Sequence, residues 1–248
     1  MRPDQNKKSD PAANRRKKPR YAISPNIRLK AVLALFGESA QASGGAWKDW
    51  PGTLVDLSAT GAHVQVNLAA VAYPENPCRL KLSLGTFKLE VPGTVAHFVC
   101  SARYTICGVN FDFSYAGVEK AYLRVLEPVM VGATLAPVEA KPDDFGRNLE
   151  RFSDKNSAHL AVKRDKPGGP ITGFEFQIGR HMFEAERPSD GEVGVRPTLR
   201  VKLAPGEGES TSLTAAQDAE ARWQYNVVAS NASEAVPADV RKFLLLPA

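Results

Sequence analysis

Between residues 27 and 111 the apolar side chains recur at every second position in short runs, the period of a strand buried on one face. Ile27, Leu29, Ala31 and Leu33 alternate with Arg28, Lys30 and Val32. Residues 37–48, rich in Gly, Ser and Ala, read as a loop, and residues 53–57 as the next strand. Ala62, Val64 and Val66 share one face of a further strand, and Leu80, Leu82 and Leu84 mark another. Gly85-Thr86 turns the chain into residues 87–91, which continue towards 95–99, and residues 104–111 supply a last strand. Such a succession of short strands predicts a small barrel, because closure hides the unpaired edges of an open sheet.

The period then changes. Val118, Ala121, Tyr122, Val125, Leu126 and Val129 recur at helical spacing from about residue 115 to residue 130, and this helix is expected to plug an open barrel end or cover one wall. Residues 131–146, with Pro137, Pro142 and Gly146 among charged neighbours, predict a linker. Strand-like sequence returns at 158–163, 171–178, 182–187, 198–203 and 222–229. Thr172, Phe174, Phe176 and Ile178 share one alternating face, and Trp223, Tyr225 and Val227 another. Residues 205–220 are polar and acidic and read as a long exposed loop; residues 238–246, after Pro237, read as a short closing helix. The expected fold class is therefore mainly β: a flexible basic arm over residues 1–14, a small β-barrel with a following helix over 15–130, and a second β-rich domain over 147–248. No residue-level repeat relates the two halves.

A length of 248 residues at 43% hydrophobic content is enough for two cores. No run of about 18 apolar residues is present to span a bilayer as a helix. The basic N-terminal residues lead into alternating strand sequence instead of the apolar core of a secretory signal, so the expected compartment is the cytoplasm. Cys78, Cys100 and Cys107 form no C-x-x-C pair and do not suggest a disulfide framework. His63, His97, His159 and His181 are scattered without metal-binding spacing, and His63 reads as a solvent-facing histidine just after a turn. No nucleophile, base and orienting group converge, so the expectation is a protein that is not an enzyme and carries neither metal nor cofactor.

Charge is distributed unevenly. The chain is formally +5, but residues 1–20 hold eight Lys or Arg against two Asp, a net +6, which leaves residues 21–248 at −1. A generic nucleic-acid binder spreads positive charge along a face that tracks the phosphate backbone. Charge concentrated beside the start of a domain suits a small anionic ligand or a disordered basic tail.

Two stretches carry chemistry suited to such a ligand. One is Arg15-Arg16-Lys17-Lys18-Pro19-Arg20; the other is Asp56-Leu57-Ser58-Ala59-Thr60-Gly61. A guanidinium addresses the O6 and N7 edge of guanine, grips phosphate with two parallel hydrogen bonds, or stacks on a purine as lysine does not. The Asp56 carboxylate is able to accept the N1 and N2 hydrogens of guanine. Ser58, two positions on, either contacts phosphate or bonds back to the turn backbone. Gly61, without Cβ, allows a positive φ or a close approach to the backbone. Together the stretches suggest a guanine nucleotide held between an arm and a sheet.

At these residues the sequence resembles the PilZ family, whose domain is a small β-barrel followed by a helix and binds the bacterial second messenger cyclic di-GMP. The family's R-x-x-x-R motif is matched by Arg16-Lys17-Lys18-Pro19-Arg20 and its D/N-x-S-x-x-G motif by Asp56-Leu57-Ser58-Ala59-Thr60-Gly61. The late strand Cys107-Gly108-Val109-Asn110-Phe111 and the helix after it also follow the family pattern, and the resemblance covers roughly residues 13–130. It implies that Arg16 and Arg20 engage guanine and phosphate groups, that Arg15 assists, that Asp56 and Ser58 line the other side, and that Gly61 preserves the turn. No second pair of motifs occurs in residues 147–248. The function implied is a non-catalytic cyclic di-GMP receptor whose ligand alters an interaction surface for a downstream protein partner. The alternative is a nucleic-acid-binding adaptor using the same arm without sequence preference.

Overall fold

The alternating strands of the first half close on themselves. The computed structural model describes residues 18–37, 46–139, 149–154, 157–187, 197–204 and 213–246. Its first seven strands are β1 (Arg20–Ala22), β2 (Lys30–Phe36), β3 (Trp47–Ser58), β4 (Gly61–Val66), β5 (Pro77–Leu84), β6 (Phe87–Cys100) and β7 (Thr105–Phe111). They run antiparallel in the order β1-β3-β2-β5-β6-β7-β4, and a further pairing of β3 with β4 closes the barrel. The inward positions are the apolar ones the period selects: Leu33, Leu57, Val64, Leu80, Val91 and Val95 are all fully buried. One element reaches into the stretch expected as loop, since β3 begins at Trp47; β2 ends at Phe36, and the two rings are in edge contact at 5.4 Å.

Two strands share one edge of β3. β2 lies along its first half, Phe36 opposite Trp47 and Ala31 opposite Gly52. The short β1 lies along its end, Arg20 opposite Ser58 and Ala22 opposite Asp56. β1 thus carries the last residue of the basic run onto the barrel wall.

Helix α1 (Ala116–Thr134) follows, and its buried Tyr122, Val125, Leu126 and Val129 belong to the barrel core. It runs one turn beyond the expected end. Residues 131–134 are helical and not linker, because Val131 and then Leu135 enter a second apolar cluster. The chain goes directly into β8 (Ala136–Val138), which pairs with β9 (Leu149–Ser153). With β10 (Ala158–Arg164), β11 (Ile171–Ile178), β12 (His181–Glu186) and β13 (Arg200–Leu203) these form a six-stranded antiparallel sheet in the order β13-β12-β11-β10-β9-β8. The chain is therefore a barrel with its helix, plus a second β-rich sheet.

The expected strand over 222–229 is instead part of helix α2 (Ala215–Ser230), and the expected loop over 205–220 ends in its first turns. The reason lies in its neighbours. Ala221, Tyr225 and Val228, at spacings of four and three, join the core of the second sheet. Trp223 and Val227, four apart on another face, pack against the barrel core. A helix apolar on two faces shows an alternating sequence that imitates a strand. Its true start is marked by a capping box in which Thr214 and Gln217 satisfy each other's backbone N–H groups. The short α3 (Ala238–Leu244) closes the chain as expected, and Tyr225 donates from its buried hydroxyl to the Leu244 carbonyl at 2.6 Å.

Where α2 ends, Asn231 holds three segments together. Its side-chain oxygen accepts from the Ser24 N–H at 2.7 Å, and its amide donates to the carbonyls of Ala22 (3.3 Å) and Val129 (2.9 Å). Gly132 lets the helices come this close, since a Cβ there would stand 2.7 Å from the Val228 carbonyl oxygen.

The barrel interior also sets a pH response. Burial pushes the thiols of Cys78 and Cys107 up from 9.0 to about 12, with the neighbouring Cys107 adding to the shift at Cys78. Unfolded thiols ionise first as pH rises, so this contribution is complete below pH 9.0 and is lost towards pH 12. Denaturant midpoints measured in reducing buffer should fall across that interval. They should fall less steeply for Cys107→Ala, whatever the variant's starting stability; an unchanged slope defeats the assignment. The buried phenols of Tyr122 and Tyr225, also raised, add to the alkaline loss.

Candidate functional site

A one-residue irregularity in β3 creates the site. Leu54 pairs with Val64 and Asp56 with His63, leaving Val55 as an extra residue in the ladder. Leu54 and Leu57 both stay inside, while Val55 and Asp56 both face outward. Bulges commonly re-aim a side chain in this way. Here the bulge presents the Asp56 carboxylate on the outer wall beside β1.

Both oxygens of that carboxylate are engaged. Arg20 Nη1 donates to Oδ1 at 2.7 Å and His63 Nδ1 to Oδ2 at 2.8 Å, since an ionised carboxylate only accepts. Arg20 retains 29% side-chain exposure, and Asp56 and His63 17% and 18%. The expectation of a solvent-facing His63 is thereby corrected: the ring is largely covered and bonded to Asp56, because the bulge brings the two into register across β3 and β4.

Ser58 is buried and serves the turn. Its hydroxyl donates to the Gly61 carbonyl at 3.1 Å and accepts from the Thr60 N–H at 3.4 Å. Its own carbonyl accepts from the hydroxyl of Tyr122 on α1 at 2.7 Å. Burial holds the Tyr122 phenol far above its ordinary value, the nearby Arg20 opposing and Asp56 reinforcing the shift, so it remains a donor. Gly61 is not in the left-handed region. What demands glycine is β7: a Cβ on Gly61 would lie 2.2 Å from the Val109 carbonyl oxygen.

The structure therefore brings Arg20, Asp56, Ser58 and Gly61 together at one end of the β1–β3 pair. Arg15 and Arg16 lie outside the described residues. Two participants escaped the sequence reading. Tyr122 registered only as part of a helical stripe, although a tyrosine at a buried helical position needs a partner for its hydroxyl. His97 lies 5.0 Å from His63 in an edge-to-face contact and covers Gly108, where a Cβ would meet its ring at 2.2 Å. A glycine inside a strand pattern is the available signal for such a close approach.

Among the described residues no group of three His, Cys, Asp or Glu side chains is placed to hold a metal ion, and no helix is long and apolar enough to cross a membrane. No family model and no curated protein matches the chain. Among solved structures it is similar to the PilZ domain with c-di-GMP of YcgR from Escherichia coli, at 13% identity and a TM-score of 0.34, over 45% of this chain and 88% of that one.

Gly61→Ala tests the close approach. Overpacking at this site should destabilise the protein by about 1–3 kcal/mol in urea unfolding. Wild-type stability would mean that β7 yields freely and that Gly61 has no structural requirement.

Proposed function

We propose that the chain is a non-catalytic cytoplasmic receptor for cyclic di-GMP. The observation that carries this reading is the Arg20–Asp56 pair, which joins the end of the basic run to the start of the D-x-S-x-x-G turn. A guanidinium and a carboxylate side by side on an outer wall suit a ligand that is both a phosphodiester and a guanine. Arg20, with Arg15 and Arg16 from the arm, takes phosphate and the O6 and N7 edge. Asp56 takes the N1 and N2 hydrogens. Ser58 and Gly61 shape the turn that presents Asp56.

Arg20 rests on Asp56. A phosphate that takes Arg20 replaces one charge-assisted hydrogen bond with two, and the second contributes about 1.5–3 kcal/mol towards ordering the arm. Arg20→Ala and Arg16→Ala should each weaken cyclic di-GMP binding by about 1.5–3 kcal/mol in calorimetry with little change in thermal stability. Near-wild-type affinity in both variants defeats the assignment. Asp56→Ala should lose guanine preference while retaining attraction to anions, because removing an acid makes the site more positive.

The competing reading is a nucleic-acid adaptor, supported by the +6 charge of residues 1–20. Saturable cyclic di-GMP binding that survives excess GMP supports the receptor. Tighter, steeply salt-dependent binding to unrelated DNA or RNA supports the adaptor.

Output to a downstream protein runs through Asn231, which bonds to Ala22 and Ser24 just beyond Arg20. Ligand that repositions β1 thereby shifts α2 and the second sheet, provided its affinity differs between the two arrangements. Spin labels at positions 81 and 202, with the exposed Cys100 replaced by Ser, should report a changed distance distribution at saturating cyclic di-GMP. The change should vanish in Asn231→Ala. An unchanged distribution in the otherwise wild-type protein rejects the rearrangement.

A further inference from the structure

Four adjacent strands line up one residue each across the barrel wall. The registers place Asp56 of β3 opposite His63 of β4, His63 opposite Gly108 of β7, and Gly108 opposite His97 of β6. Two bulges build this row. One, at Val55, turns Asp56 outward; the other falls between Val95 and His97, where Ala96 is the extra residue on β6. Gly108 completes it by leaving its position bare, so that the His97 ring lies across the strand and meets His63 edge to face at 5.0 Å and 68°. The row begins at the carboxylate that Arg20 holds.

We infer that His63 is a positioning residue for guanine recognition, aimed in turn by His97 lying over Gly108. The inference rests on the receptor reading of the preceding section and names the group that makes Asp56 selective. A guanine presents N1–H and N2–H as two parallel donors and meets a carboxylate well only when both its oxygens lie in the plane of the base. Arg20 and His63 together fix that plane in the structure. Once phosphate draws Arg20 away, the carboxylate is free to rotate unless something else holds it. His63 holds it through Oδ2, and each carboxylate oxygen has capacity for a second donor, so His63 and guanine share it. The Nδ1–H needed for that bond fixes the tautomer, and His97 fixes the ring's tilt. An adenine offers an acceptor at N1 and no N2 amino group, so a carboxylate locked in this orientation rejects it.

The test is calorimetric titration of the full chain with cyclic di-GMP and, separately, cyclic di-AMP. Wild type should bind the first and discriminate strongly against the second. His63→Ala should lose about tenfold in cyclic di-GMP affinity with little change towards cyclic di-AMP, so that discrimination falls by the same factor. His63→Asn, which places an amide N–H near the position of Nδ1, should recover most of the loss. His97→Ala should move both quantities in the same direction by a smaller factor, and it carries the test if His63→Ala does not fold. A His63→Ala or His97→Ala protein with wild-type discrimination overturns the inference, as do equal losses for both nucleotides, which a merely structural role predicts. Wild type that fails to bind cyclic di-GMP overturns the receptor reading and this inference together. Wild type that binds, beside a histidine variant that behaves identically, removes only the role of His63.

Discussion

A buried amide ties the barrel to the helix that covers the second sheet. Asn231 leaves α2 at its last turn and spends its oxygen and nitrogen on the backbone at the end of β1 and just beyond it, and on α1. The Val129 bond is buried and the Ser24 and Ala22 bonds partly so, and a buried amide left unmet costs about 1–3 kcal/mol. The amide therefore fixes three segments at once, and the Arg124–Glu220 ion pair and the Ser233 bonds to Gly132 and Leu135 add to the hold of α1 on α2 and the residues after it. The two cores meet along the same line: Val129 and Val227 belong to the barrel, Val131 and Val228 to the second sheet. Helices that each serve two cores cannot shift for one without disturbing the other.

The candidate site hangs from this junction. Arg20 lies two residues before Ala22, whose carbonyl Asn231 holds, and its guanidinium rests on Asp56 across the β1–β3 pair. Without that tether, three residues of β1 would be a weak addition to the edge of β3. With it, β1 has a fixed place on the edge of β3. The carboxylate beneath Arg20 holds the guanidinium on the wall through their 2.7 Å bond.

What the sequence discloses follows from how each element is solvated. Barrel strands with one wet and one dry face carry a clean alternation, as at Leu80 and Leu82, and α1 carries a clean stripe from Val118 to Val129. Both were legible for that reason. Helix α2 was not, because burial on two sides put Trp223, Tyr225 and Val227 at alternate positions and broke up its polar face. The capping residues Thr214 and Gln217 were the better guide. The motif residues Arg20, Asp56, Ser58 and Gly61 were legible as types and spacing, but their division of labour was not. Leu54-Val55-Asp56-Leu57 gives no local sign of a bulge, so the meeting of Asp56 with His63 emerges only from the pairing of strands. Asn231 is one asparagine in a polar stretch, and its partners lie more than 100 residues away.

On the receptor reading, these energies constrain how a ligand signal travels. Pulling β1 away from Asn231 would return the Ala22 carbonyl and the Ser24 N–H to water but leave the buried Asn231 amide short of partners, at a cost of about 1–3 kcal/mol. A ligand gripped through two or three charged hydrogen bonds, at about 1.5–3 kcal/mol each, has that cost to meet as well. An opening that breaks the Asn231 bonds therefore lowers affinity, whereas one that preserves them does not. On the receptor reading, the arm closes by turning about the short span between Arg20 and Ala22 while Asn231 keeps its partners. The second sheet then follows β1 as a lever follows its pivot. The movement delivered to a partner is a modest reorientation of α2 and the sheet behind it, not a separation of the two cores.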